Sequence, residues 1–110
     1  MYCKIYIHCD KAEKIISLME SRFGRAKRKI SFYYFSSFDI TLDRNDEADR
    51  KKMNAPTDGF LYYELLAELE IYTDHIRITD EIMRLLHEND IPAVVSCDYE
   101  DELEAPNTVI

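Results

Sequence analysis

Phe60-Leu61-Tyr62-Tyr63-Glu64-Leu65-Leu66-Ala67-Glu68-Leu69-Glu70-Ile71-Tyr72-Thr73 is the stretch on which the fold turns. Leu61, Tyr63, Leu65, Ala67, Leu69 and Ile71 alternate with more polar neighbours, the period of two that gives a strand one buried face. Leu65 to Glu70 also has strong intrinsic helix propensity. The unbroken alternation and the β-favouring Ile71-Tyr72-Thr73 end decide for a strand.

A strand here needs partners, and the flanking sequence offers three. At the N-terminus Cys3, Ile5, Ile7 and Cys9 alternate with Tyr2, Lys4, Tyr6 and His8, predicting a strand over 2–9 with its odd face inward. Asp10 and Glu13 form a capping-box pattern, and Ala12, Ile15, Ile16, Met19 and Phe23 fall at helical spacing up to Gly24, predicting a helix over 11–23. After the basic turn at 25–29, Ile30, Phe32, Tyr34, Ser36, Phe38, Ile40 and Leu42 share one parity. Thirteen residues is long for a strand, so a bend or bulge is expected at Ser36-Ser37. Residues 43–59 read as a long polar loop, with a helical turn around Asp46 to Met53 as one option. Ile78, Ile82, Leu85 and Leu86 predict a second helix over 77–89. Ile91 precedes Pro92 and must be extended, opening a last strand with Ala93, Val95 and Cys97 on one face. An acidic run and a fraying tail at 104–110 close the chain.

The order β-α-β-β-α-β predicts a single α+β domain over 1–110: a ferredoxin-like, split βαβ sandwich with a four-stranded antiparallel or mixed sheet and two helices on one face. A length of 110 residues suits one hydrophobic core. With 46% hydrophobic residues, 33% charged residues and only two glycines, the chain reads as folded and lacks the glycines of a phosphate-cradling loop. No signal-like or membrane-spanning apolar run is present, so cytoplasmic residence is the expectation. Cys3, Cys9 and Cys97 show no CxxC spacing and read as reduced thiols, with neither a disulfide framework nor zinc.

Helices on one side leave the opposite sheet face to solvent or a partner. That face would carry Tyr2, Lys4, Tyr6 and His8 from the first strand and Phe60, Tyr62, Glu64, Leu66, Glu68, Glu70 and Tyr72 from the third. Strand two would add Ser31, Tyr33, Phe35 and Ser37 or the opposite set. A tyrosine-rich open face suits association, because the ring supplies apolar area and a polar handle at small entropic cost.

Charge narrows the partner. Net charge is −8, with twelve Lys or Arg against eight Asp or Glu in residues 1–52 and two against fourteen in 53–110. Glu64, Glu68 and Glu70 would repel the phosphates that a nucleic-acid-binding sheet contacts, so neither nucleic acid nor an anionic membrane is the expected partner. The run Asp98, Glu100, Asp101, Glu102, Glu104 lacks the spacing of a calcium loop, so no metal and no cofactor are expected. His8 and Cys9 are adjacent on a strand, point to opposite faces and cannot act as a nucleophile–base pair.

These features favour a non-catalytic, acidic protein–protein interaction domain that binds a protein partner, a basic one by charge, through Tyr6, Tyr33, Tyr62, Glu64, Glu68, Asp98, Glu100 and Asp101. In size and charge the chain resembles small acidic inhibitors, including the immunity proteins that neutralise bacterial toxins, a likeness that carries no residue across. Two alternatives stand beside it. One is a small enzyme or ligand-binding regulator using Glu64 or Glu68 with Tyr6 or His8 under the 43–59 loop. The other is a homodimer built sheet to sheet.

Overall fold

The computed structural model describes residues 1–105. The chain is α+β: β1 (Tyr2–Ile7), α1 (Ala12–Phe23), β2 (Lys27–Lys29), β3 (Phe32–Tyr34), β4 (Phe38–Arg44), β5 (Leu65–Ile71), α2 (His75–Glu88) and β6 (Ala93–Ser96). The six strands form one sheet in the order β2-β3-β4-β5-β1-β6. Every pairing is antiparallel, so the expected four strands are six and no neighbours are parallel. β1 and β4 run in the same direction with β5 between them, which places the two α-crossovers around a fully antiparallel centre. No described helix is long and apolar enough to cross a membrane.

The decisive stretch is extended where it matters. Leu65, Ala67, Leu69 and Ile71 are buried while Glu68 and Glu70 turn to the other side, and β5 takes the centre of the sheet between β4 and β1. Burial beats helix propensity here: Leu69 is 1% exposed, and its row continues through Cys3 on β1 and Ile40 on β4. Ile15, Ile16 and Met19 of α1 and Ile78, Ile82 and Leu86 of α2 pack into this same cluster, so both helices cover the odd-numbered face.

Several local expectations change. The long second strand is two strands, because Ser36-Ser37 reverses the chain instead of bending it: Phe35 N donates to Phe38 O at 2.9 Å and closes a two-residue hairpin. The reversal flips the parity, so Tyr33 and Phe35 are buried before it, Phe38, Ile40 and Leu42 after it, and Phe32 and Tyr34 are exposed. The basic turn supplies β2, with Ile30 at φ +58° in the next hairpin. The capping box does not form: α1 is preceded by Lys11 without a side-chain cap, and Glu13 pairs with Arg28 at 2.6 Å.

The segment 60–64 changes as well. Gly59–Tyr62 is a short 3-10 turn and not strand, packed so closely on Met53 that a Cβ at Gly59 would lie 2.3 Å from the Met53 carbonyl oxygen. Buried Asn45 explains the departure. Its amide nitrogen donates to the carbonyls of Leu61 at 2.8 Å and Tyr63 at 2.9 Å, and its backbone N–H donates to Glu64 O at 2.8 Å. The Glu64 bond continues the β4–β5 register by one pair, whereas the Leu61 and Tyr63 carbonyls, taken by the Asn45 side chain, are not free to extend β5 along β1. At the other end, the N–H groups of Glu104 and Ala105 donate to the buried Asp80 carboxylate at 3.0 and 2.9 Å. The remainder of the expected tail, 106–110, lies outside the described residues.

Candidate binding face

The face opposite the helices is built in cross-strand rows. Tyr2, Glu70, Asp39, Tyr34 and Lys27 make one row; Lys4, Glu68, Thr41, Phe32 and Lys29 make the next; Val94, Tyr6, Leu66 and Asp43 make a third. Period-two geometry therefore concentrates aromatic and acidic side chains on one surface.

Only part of this surface is open. At the third row, the 59–63 segment folds back: Phe60 meets Tyr6 edge-on with centroids 5.4 Å apart, and Tyr63 stacks on His8 at 5.0 Å. Tyr63 and Val94 are buried here without joining the helix-side cluster. They belong to a small second core. Beyond it the aromatic rings of the first two rows stand exposed, Tyr2 at 52%, Phe32 at 47% and Tyr34 at 39%, and beside them, just past β5, Tyr72 at 62%.

Two depressions adjoin at Thr41 and Glu68, which line both, and together make up the trough. One, of about 320 Å³, lies among Tyr2, Phe32, Tyr34, Asp39 and Glu70. The other, of about 550 Å³, lies between the sheet and the 43–62 segment, against Lys4, Tyr6, Asp43, Arg44, Tyr62 and Leu66. Asp39, Asp43, Asp46, Glu47, Glu68 and Glu70 line the trough against Lys4 and Arg44, which leaves it acidic.

The aromatic groups are held in place by these acids. Tyr2 OH donates to Glu68 Oε1 at 2.9 Å, Tyr72 OH donates to Asp39, and Phe32 stacks over Tyr34. Burial and then the Glu68 carboxylate push the Tyr2 phenol up to about 12 from 10.0, while the Asp39 bond raises Tyr72. Both shifts favour the neutral, donating phenol. The stability that the Tyr2 shift contributes is fully present below pH 10 and is lost as pH rises from there through about 12. Ultraviolet titration should therefore show Tyr2 ionising later than an ordinary tyrosine. Glu68→Gln should bring that late step back toward the ordinary range, and a titration identical to wild type would contradict the assignment.

The residues expected to form a binding site separate into groups. Tyr6, Tyr62 and Glu68 line the trough together. Glu64 adjoins it but is engaged, its Oε1 lying 2.8 Å from His8 Nδ1. That pair is the acid–base contact anticipated across the central strands, yet neither residue lines the cavity under the loop. Tyr33 is corrected: at 3% exposure it lies on the helix side beneath Arg28, which sits 5.1 Å from its ring centre and bridges to Glu13. Asp98, Glu100 and Asp101 are also elsewhere. Their segment is pinned to α2 by Tyr99, which meets Thr79 Oγ1 at 2.9 Å and the edge of His75.

Tyr2, Phe32, Tyr34, Asp39, Glu70 and Tyr72 were absent from the expected set. Tyr2, Glu70 and Tyr72 had the right parity; Phe32 and Tyr34 needed the hairpin at Ser36-Ser37 to be known. No family model, curated protein or solved structure matches this chain. The trough is therefore read from its own chemistry.

A larger groove of about 710 Å³ along α2 is also acidic, with five carboxylates against Arg77 and Arg84, but it is a weaker candidate because no tyrosine or phenylalanine lines it. Among the described residues no three His, Cys, Asp or Glu side chains converge as metal ligands.

Asn45 fixes the wall of the trough, since its Oδ1 also accepts Glu47 N–H at 3.1 Å. Asn45→Ala would strand the Leu61 and Tyr63 carbonyls. The expected loss is about 2–3 kcal/mol, measured by urea unfolding, with faster hydrogen exchange at Glu47 and Asp49. Unchanged exchange there would show that the wall does not depend on Asn45.

Proposed function

We propose that this chain is a non-catalytic interaction domain that binds a basic protein partner through the trough on its open sheet face. The single observation that carries the reading is the placement of three exposed aromatic rings, Tyr2, Phe32 and Tyr34, among acids in continuous cross-strand register, with Tyr72 just beyond the end of β5. The rings supply area at small entropic cost, and the carboxylates steer approach. An inhibitor of a basic toxin or enzyme, the immunity-type role, is the biological setting that best fits a small acidic binder. In architecture, we read β4-β5-β1-β6 with the two helices as a ferredoxin-like, split βαβ core, to which β2 and β3 add a hairpin at the β4 edge.

The test is affinity capture from the native host with wild-type protein and with a Glu68→Gln, Glu70→Gln double variant, followed by binding kinetics on the captured partner. The expected result is a basic protein whose association slows about tenfold in the variant and loses part of its salt dependence. Capture unaffected by the variant would overturn the reading. So would a solution mass showing the trough closed by a second copy: Lys27 and Lys29 flank its acids, and this makes self-association the competing occupant.

A further inference from the structure

The β1–β6 register has a consequence for the thiols. Lys4 opposes Ser96 and Ile5 opposes Val95; β6 ends at Ser96, and its register continued by one step would set Cys97 across from Cys3. His8 N–H donates to Pro92 O at 2.9 Å, which makes His8 and Pro92 a hydrogen-bonded pair. Counting along the antiparallel ladder from that pair puts Cys3 and Cys97 at a non-hydrogen-bonded position. Opposed Cα atoms there approach to about 4.5 Å, inside the range that a disulfide spans. Both are free thiols; Cys3 is fully buried and Cys97 half-buried, and they interact directly.

We propose that Cys3 and Cys97 are an oxidisable cross-strand pair that closes to a disulfide under thiol–disulfide exchange, bolting β1 to the segment that follows β6. With oxidised glutathione the steps balance. The more accessible Cys97 thiolate attacks one glutathione sulfur, the glutathione S–S bond breaks, and one glutathione thiolate leaves and takes up a proton. The Cys3 thiolate then attacks the Cys97 sulfur of the mixed disulfide and releases the second glutathione. Two protein thiols and one oxidised glutathione become one protein disulfide and two reduced glutathiones.

Burial holds the Cys3 thiol up at about 12 and raises Cys97 as well, so the exchange is slow at neutral pH and speeds up in mildly alkaline solution. Cys9 takes no part, because its thiol lies outside this row and donates to Lys11 O at 3.7 Å. The bond would tie down the turn that carries Asp98 and Glu100, and with it the packing of Tyr99 on α2.

The test uses the folded full chain incubated with oxidised glutathione at mildly alkaline pH, alkylated and analysed by intact mass and peptide mapping. The expected product has lost two hydrogens, links the Cys3 and Cys97 peptides, and forms equally in Cys9→Ser. Cys97→Ser, chosen because buried Cys3 is the riskier site to alter, should gain no internal bond. The oxidised protein should unfold at higher denaturant, since the bond closes a loop of almost the whole chain. The absence of an internal bond in wild type, a link to Cys9, or unfolding at lower denaturant would each overturn the proposal.

Discussion

Phe38→Ala is expected to destabilise the protein by about 3–5 kcal/mol. Phe38 is fully buried and stands at the start of β4, where its ring stacks on Phe35 at 4.7 Å and meets Phe23 of α1 edge-on at 5.2 Å. Truncation leaves a cavity where three rings met, at the point where the β3–β4 hairpin is fastened to α1. Chemical denaturation gives the magnitude. Because the hairpin carries Phe32 and Tyr34, partner binding should also weaken at temperatures where the variant remains folded. A loss under about 1 kcal/mol would mean that the neighbouring rings close the gap and that the cluster does not fasten the hairpin.

The double variant Tyr2→Ser, Tyr34→Ser should lower affinity for the captured basic partner about 100-fold or more, the loss of roughly 3 kcal/mol expected when two interfacial anchors are truncated. Tyr2 and Tyr34 are 52% and 39% exposed, so unfolding should move little. Calorimetry of binding and thermal unfolding read together separate the two effects. Full affinity in a folded double variant would remove the aromatic rings from the binding account.

The central part of this fold was legible because burial there obeys a simple period. Cys3, Ile5 and Ile7, and Leu65, Ala67, Leu69 and Ile71, alternate without interruption, and all are buried. The helices were legible for the same reason, down to Gly24, whose φ of +87° ends α1. The hairpins were not. Ser36-Ser37 and Ile30-Ser31 turn without Asn-Gly or Asp-Gly, and Ile30 is a β-branched residue in the left-handed region, which local sequence disfavours. A two-residue turn that local sequence does not signal exchanges the faces of every residue before it, and this is why alternation alone puts Tyr33 on the surface and does not single out Phe32 and Tyr34.

The 59–63 segment illustrates a different limit. Leu61 and Tyr63 continue the alternation of β5, yet Leu61 is exposed and Tyr63 is buried on the opposite side from the main core. What withdraws them from the sheet is a side chain distant in sequence, Asn45, in a stretch that reads only as polar. The acidic run was legible as charge and misleading as location: Tyr99 packs inward on Thr79 and His75, carrying Asp98, Glu100 and Asp101 to the helix side. Charge alone does not say which face it occupies.

The most direct test of the binding account is tyrosine-selective chemical labelling of the protein, free and bound to its captured partner, read by peptide mass. Tyr2, Tyr34 and Tyr72 should label readily when free and become protected in the complex, with carboxylate labelling falling at Asp39 and Glu70. Protection confined to Glu100, Asp101 and the exposed side of α2, with the three tyrosines still reactive, would contradict it.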